Sequence, residues 1–179
     1  WLELPGFRAV HAAWFDADIA QLRGHQALKG EELIRLSKKE SPKTKAIERV
    51  LNGLELKLPE GESFTTPDGR KRTEIRSRWW DDLEGKNCHQ AVFPDDPRIS
   101  KGACIVPKDH RTYPPSAPLI FFGHYAVMTG ESEPLAENIA CLDYGMAKGG
   151  LLTAYSWDGE ATLDDSKFTS TPQRKDNNE

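Results

Sequence analysis

Three observations predict an α/β or α+β fold. Short apolar runs at residues 7–10 (FRAV), 119–122 (LIFF), 139–142 (IACL) and 151–157 (LLTAYSW) read as strands. Two stretches, from Asp16 to about Leu28 and from Ser41 to Leu54, carry apolar residues at helical spacing behind a capping residue. Residues 81–118 are rich in Pro, Asp and Lys with only short apolar pieces, so an irregular segment lies between the two groups of strands.

The elements follow in order. A strand-like run starts at the first residue, and FRAV ends at His11, with HAAWFD as its exit loop. Asp16 is placed to cap a helix whose inner face carries Ile19 and Leu22, and a second short helix is expected over 31–36. The run SKKESPKTK reads as a solvated basic connection that ends in a helix start, with Ser41 as cap and Pro42 at the first helical position. Ala46, Ile47, Val50, Leu51 and Leu54 then share one face, and Asn52-Gly53 is the stop. The segment GESFTTPDGRKRTEIRSRWW reads as a hairpin turning at Pro67-Asp68-Gly69. Near the end, strands close at Gly123-His124, at Asp143 and at Asp158-Gly159, and the polar residues from 165 onward read as a disordered tail.

The chain of 179 residues holds one domain, or one domain's worth of a larger fold. Its net charge of −4 carries no basic footprint, which argues against a nucleic-acid partner. No apolar run reaches the roughly 20 residues of a membrane helix, so no membrane partner is expected. The three cysteines lack metal-like spacing, so neither a disulfide framework nor a metal cluster of Cys88, His89 and Cys104 is expected. The default location is cytoplasmic and reducing. The opening WLELPGFRAV begins in mid-strand on Trp1, the expectation for a segment of a longer protein.

Two histidines share one context. His11 and His124 each stand just past the carboxyl end of a strand, at the rim where α/β proteins gather ligands and metals. Imidazole is a good ligand for zinc, iron or nickel. Asp143, also past a strand end, reads first as an acceptor for loop amides. Gly145, Gly149 and Gly150 read first as a tight connection between paired strands, with a phosphate cradle of backbone N–H groups as the alternative. Arg76 and Arg78 read as solvent-facing, with phosphate binding as the alternative. His25, His89 and His110 sit in polar contexts and read as surface residues. Trp14, Trp79, Trp80 and Trp157 read as anchors of core or loop.

The segments VHAAW, FFGHY and NIACLDYGMAKGGLLTAYSWDGE together resemble the C-terminal half of the calcineurin-like metallophosphoesterases, in the bacterial branch with the diadenosine tetraphosphatase-like and serine/threonine phosphatase-like enzymes. The likeness covers about the first fifteen residues and 119–160. It implies the C-terminal part of a four-layer αββα sandwich over 1–164, with a long insertion of helices and a hairpin at 16–118 and a tail at 165–179. It implies that His11 and His124 ligate one of two divalent cations (Mn, Fe, Zn or Ni) in a complete enzyme. The substrate class would be a phosphorylated small molecule, a dinucleoside polyphosphate or a phosphoprotein. The family motifs GDxHG, GDxxDRG and GNHE, which supply the bridging aspartate and the proton donor, do not occur in these residues, and Tyr125 stands where Thr often follows the GH pair.

From this likeness the chain by itself is expected to be inactive, with no catalytic residue of its own. His11 and His124 are expected within about 3–7 Å. The runs 119–122, 139–142 and 151–157 are expected in one sheet, the last two as antiparallel neighbours. An apolar face including Leu119, Phe121, Ile139 and Leu152 is expected to lie bare. Two other classes of function compete: a non-catalytic remnant kept as a binding module, and a helical and hairpin adaptor over 16–118 whose basic run 38–45 meets an acidic partner.

Overall fold

A computed structural model of the chain describes residues 1–24, 30–31, 34, 41–66, 69–128 and 130–172. The protein is mixed α and β and divides into two compact units, Trp1–Val10 with Pro114–Glu179, and His11–Tyr113. The insertion expected over 16–118 overlaps the second unit. The helix expected over 31–36 and the tip Pro67-Asp68 lie largely outside the described residues, as does His25.

The first unit is built on a four-stranded sheet. Strands β1 (Leu2–Leu4) and β2 (Phe7–Ala9) form an antiparallel hairpin, and β2 then runs parallel to β7 (Leu119–Phe122), which runs parallel to β8 (Ile139–Cys141). The register pairs Phe7 with Leu119, Ala9 with Phe121, and Phe121 with Ala140. Because side chains alternate along a strand, these residues share one face with Leu142. That face meets Tyr155, Trp157, Leu163 and Phe168 in one apolar cluster. Edge-to-face contacts order it: Phe7 lies 4.9 Å from Trp157 and 5.7 Å from Phe121, and Tyr155 lies 4.9 Å from Phe168. The opposite face carries Ile120, Phe122, Ile139 and Cys141, and these too are buried. Burial on both faces is why β7 and β8 read as continuous apolar segments rather than alternating ones, whereas β2, only half-buried, carries Arg8 between Phe7 and Ala9.

The partners of β7 and β8 depart from expectation. Strand β10 (Leu151–Tyr155) belongs to a separate three-stranded sheet, between β9 (Asp143–Tyr144) and β11 (Phe168–Pro172). Antiparallel pairing does follow the glycine loop, but it joins Leu151 to Tyr144 and Leu152 to Asp143 in β9, not to β8. After Cys141 the chain leaves the parallel sheet, and the tight reversal at Gly145–Gly150 returns it onto β9. The disordered tail expected from residue 165 is also corrected. A 3-10 turn at Asp165–Lys167 leads into β11, whose register against β10 runs from Tyr155–Phe168 to Leu151–Pro172. Residues 173–179 lie outside the described residues. A backbone ladder and one apolar anchor, Phe168, suffice here because β10 offers an otherwise unpaired edge.

The bare apolar face is corrected as well. Leu119, Phe121 and Ile139 are 1%, 8% and 3% exposed, and of the four residues expected there only Leu152 is open to solvent, at 58%. β10, β11 and Leu163 cover the face that carries Leu119 and Phe121.

In the second unit two helices pack together. Helix α1 (Asp16–Leu22) buries Asp18, Ile19 and Leu22, and α2 (Pro42–Asn52) buries Thr44, Ala46 and Val50. Asp16 occupies the first helical position instead of the cap. The cap is Phe15, without a side-chain bond, and the Asp16 carboxylate accepts from the Trp14 indole at 2.9 Å. The start of α2 matches its sequence: the Thr44 N–H donates to Ser41 Oγ at 3.1 Å, and Pro42 opens the helix. Its stop does too, with Gly53 at φ 86°. Replacing Ser41 with Ala leaves an amide of the first turn without its acceptor, so a loss of about 1 kcal/mol is expected in urea unfolding, and Ser41→Asp should retain most of it.

Short ladders complete this unit: β3 (Glu55–Lys57) with β6 (Glu74–Arg76), and β4 (Phe64–Thr65) with β5 (Lys71–Arg72). The expected hairpin is therefore confined to β4 and β5, while β6 turns back to β3. The long segment that follows is irregular apart from α3 (Cys88–Ala91), which starts on an Asn87–Gln90 capping box. Trp79 and Trp80 anchor it, 0% and 5% exposed, with Trp79 edge-on to Phe15, Trp80 and Tyr113. A disulfide joins Cys88 to Cys104, against expectation. Their separation of 16 residues is legible in the sequence, but the returning limb that brings Cys104 back to α3 is not.

Candidate functional site

Parallel strands leave a sheet at the same edge, so the register of β2, β7 and β8 sets three exits side by side. The β2 exit is Val10, whose N–H donates to the Phe121 carbonyl at 3.0 Å. The β7 exit is Gly123-His124, and the β8 exit is Leu142-Asp143. His11, the next residue after Val10, is exposed and begins the second unit. The first unit itself brings His124 and Asp143 to one rim.

The loop after β7 is unusual in its backbone. His124 and Ala126 adopt φ 71° and 49°, the left-handed region that residues with a Cβ seldom enter. Such conformations persist where the surroundings enforce them, and they cluster at functional sites. Here the enforcement is visible. Tyr125 between them is 2% exposed and packs edge-on to Phe122 at 5.4 Å, while the Val127 N–H donates to the Asp143 carbonyl at 2.9 Å. His124 is half-buried, with Nε2 out of solvent.

Asp143 plays the part read for it. Its Oδ1 accepts from the Gly145 N–H at 3.0 Å, which closes the turn beyond β9. The glycine loop is the tight connection and not a phosphate cradle. The amides of Lys148, Gly149 and Gly150 donate to the carbonyls of Gly145, Met146 and Gly145. Gly150 is irreplaceable on steric grounds, since a Cβ there would collide with the Tyr144 carbonyl oxygen. A cleft of about 350 Å³ opens beside this loop, lined by Phe122, Gly123, Asp143, Met146 and Leu152 among others.

The other candidate residues have the following places in the fold. Arg78 pairs with Asp95 and lies over the Phe93 ring at 5.4 Å, and Arg76 sits within β6. His110 Nε2 bonds the Trp79 carbonyl at 3.0 Å, and His89 is half-buried beside the disulfide. Cys88 and Cys104 are oxidised and cannot ligate a metal. Cys141, buried in β8, has its thiol pushed up to about 12 by desolvation.

Two charged clusters were not foreseen. In the second unit Arg49 joins Asp18 at 3.6 Å and Asp109 at 2.8 Å. Burial raises the Asp18 carboxyl above its usual range, and Arg49 only partly offsets that. In the first unit Glu160 accepts from the Tyr155 hydroxyl at 2.6 Å, the Asp158 N–H at 3.0 Å and Lys167 Nζ at 2.8 Å. Desolvation acts to raise the Glu160 carboxyl, but these donors prevail and hold it below the ordinary carboxylate value. A depressed folded value means the contribution is present above the unfolded value and is lost as pH falls through the folded one. Chemical unfolding from pH 7 to pH 3 should therefore show an acid-side loss of stability that Glu160→Gln diminishes.

Among the described residues no group of three or more His, Cys, Asp or Glu side chains is placed to hold a metal ion, and no helix is long and apolar enough to cross a membrane. Comparison with protein-family models, with curated proteins and with solved structures finds no match to this chain.

Proposed function

We propose that the chain is the C-terminal portion of a calcineurin-like metallophosphoesterase, contributing His11 and His124 as ligands to a dinuclear centre that hydrolyses phosphate esters or anhydrides. The observation that carries this reading is the parallel pairing of β2 with β7. It makes the strands before the two histidines neighbours that leave the sheet at one edge, although the histidines stand far apart in sequence. The enforced left-handed backbone at His124 supports it, because a strained residue at the carboxyl edge of a parallel sheet is a common way to aim a ligand.

The donor chemistry suits a divalent cation, but the donor number does not complete a site. Two imidazoles fall short of the three protein ligands a catalytic metal ordinarily takes. This chain's own part is thus to supply two imidazoles and to fix one of them by backbone geometry. Bound in the complete enzyme, two cations would activate a water and neutralise the phosphoryl oxygens. The substrate would be a phosphorylated small molecule, a dinucleoside polyphosphate or a phosphoprotein, met in a cytoplasmic setting.

Titration calorimetry with Ni²⁺ or Zn²⁺ tests the shared half-site. The intact chain should bind one ion weakly, and His11→Ala and His124→Ala should each abolish that binding. A chain in which the two variants bind as the parent does would sink the assignment.

A further inference from the structure

We propose that Cys88 and Cys104 form a reversible thiol–disulfide switch that governs whether the returning half of the loop, residues 96–104, stays docked in the second unit.

The outgoing half of the loop is tied to β6 and the residues just after it: Arg78 donates its N–H to the Ala91 carbonyl at 2.8 Å, Phe93 donates to the Arg76 carbonyl at 3.0 Å, and Ala91, Val92 and Phe93 are buried, so the returning half is where the bond matters. Cys88 and His89 donate their N–H groups to the carbonyls of Gly102 and Ser100 at 2.9 and 3.1 Å, and Asn87 bridges to Ala103. Apart from these, the buried Ile99 side chain and the contacts of Arg98, the returning half, residues 96–104, holds itself by local turns, such as the Asp96 carboxylate around Arg98 at 2.6 Å and the Ile99 N–H on the Asp96 carbonyl at 3.1 Å. A limb with so few ladder bonds owes much of its order to the closure of its ends, which is the contribution a disulfide makes. The consequences reach further than the loop. Arg98 Nη1 donates to the Thr65 carbonyl at 2.7 Å and its guanidinium lies 5.9 Å over the Phe64 ring, so the limb props the β4–β5 hairpin. Next to Cys104, Ile105 bridges to Lys57 on the edge of β3.

The two sulfurs are not equally placed. Cys88 is fully buried at the start of α3, whereas Cys104 is partly exposed on the returning limb. A low-molecular-weight thiol therefore attacks Cys104. Its thiolate forms a mixed disulfide there and breaks the bond to Cys88, which leaves as thiolate and takes a proton. A second thiol resolves the mixed disulfide, so two electrons and two protons arrive from two thiols that depart as their own disulfide. Cys141 lies buried in the first unit's sheet, out of reach of this exchange.

Limited trypsin digestion of the full native chain reads the switch, because Arg98 and Lys101 lie exposed inside the clipped loop. Under dithiothreitol, cleavage after these residues should rise by on the order of tenfold or more and fall back on reoxidation. Thiol titration of the oxidised protein in denaturant should count one thiol, and three after reduction. Cys141→Ser should respond as the parent does, and the Cys88→Ser, Cys104→Ser pair should be cleaved at the reduced rate in either condition. Should that pair not fold, the reduction and reoxidation of the parent decides alone. Three titratable thiols after exposure to oxidised glutathione would overturn the proposal, as would equal cleavage in the two states. A bond that dithiothreitol reduces only after unfolding would mark a fixed staple and overturn it too.

Discussion

Metal-dependent hydrolysis of p-nitrophenyl phosphate should be absent from the 179-residue chain with Mn²⁺, Ni²⁺ or Zn²⁺. It should appear, on the order of a hundredfold or more above background, when a polypeptide carrying GDxHG, GDxxDRG and GNHE is joined ahead of Trp1. The reason is ligand arithmetic. Two imidazoles cannot hold two cations, so on the proposed reading the remaining ligands must come from the joined polypeptide. In the joined protein His124→Ala and His11→Ala should each abolish turnover. Turnover by the chain alone that vanishes in His124→Ala would show that it assembles a full centre. Failure of the joined protein to turn over would remove the family reading and leave a binding module as the better account.

Trp79→Ala should cost about 3–5 kcal/mol, the range for truncating a fully buried large aromatic. Trp79 is 0% exposed and meets Phe15 at 5.8 Å, Trp80 at 5.7 Å and Tyr113 at 6.0 Å, each edge-on. It thereby ties the chain entering α1 to the irregular segment beyond β6. Against a total stability of about 5–15 kcal/mol this is enough to unfold the second unit in mild denaturant. Urea unfolding followed by tryptophan fluorescence should show the midpoint fall, with Trp79→Phe losing less because a ring still fills most of the space. A midpoint within experimental error of the parent would mean that Trp79 is not the keystone of this core.

The two largest departures from expectation share a cause. The run after 165 is polar, with Phe168 as its only large apolar residue, so nothing within it announces a strand; it orders because β10 presents a free edge and Tyr155 a ring to pack on. Cys88 and Cys104 carry no recognisable spacing; they meet because Gly102 and Ser100 return to the amides of α3. In each case the stabilising partner lies outside the segment whose state it decides.

What the sequence by itself determined is local. Ser41, Pro42 and Gly53 bound α2, the four apolar runs make strands, Asp143 caps the turn after β9, and the glycine loop reverses the chain, because caps, periods and turns act over a handful of residues. Only the tertiary structure decided which strands share a sheet, that β9 and not β8 receives β10, and that Cys88 finds Cys104. It also decided that the strands before His11 and His124 run side by side. Phe7 pairs with Leu119 across more than a hundred residues, and no local preference encodes a partner at that distance; their shared burial in one apolar cluster selects it.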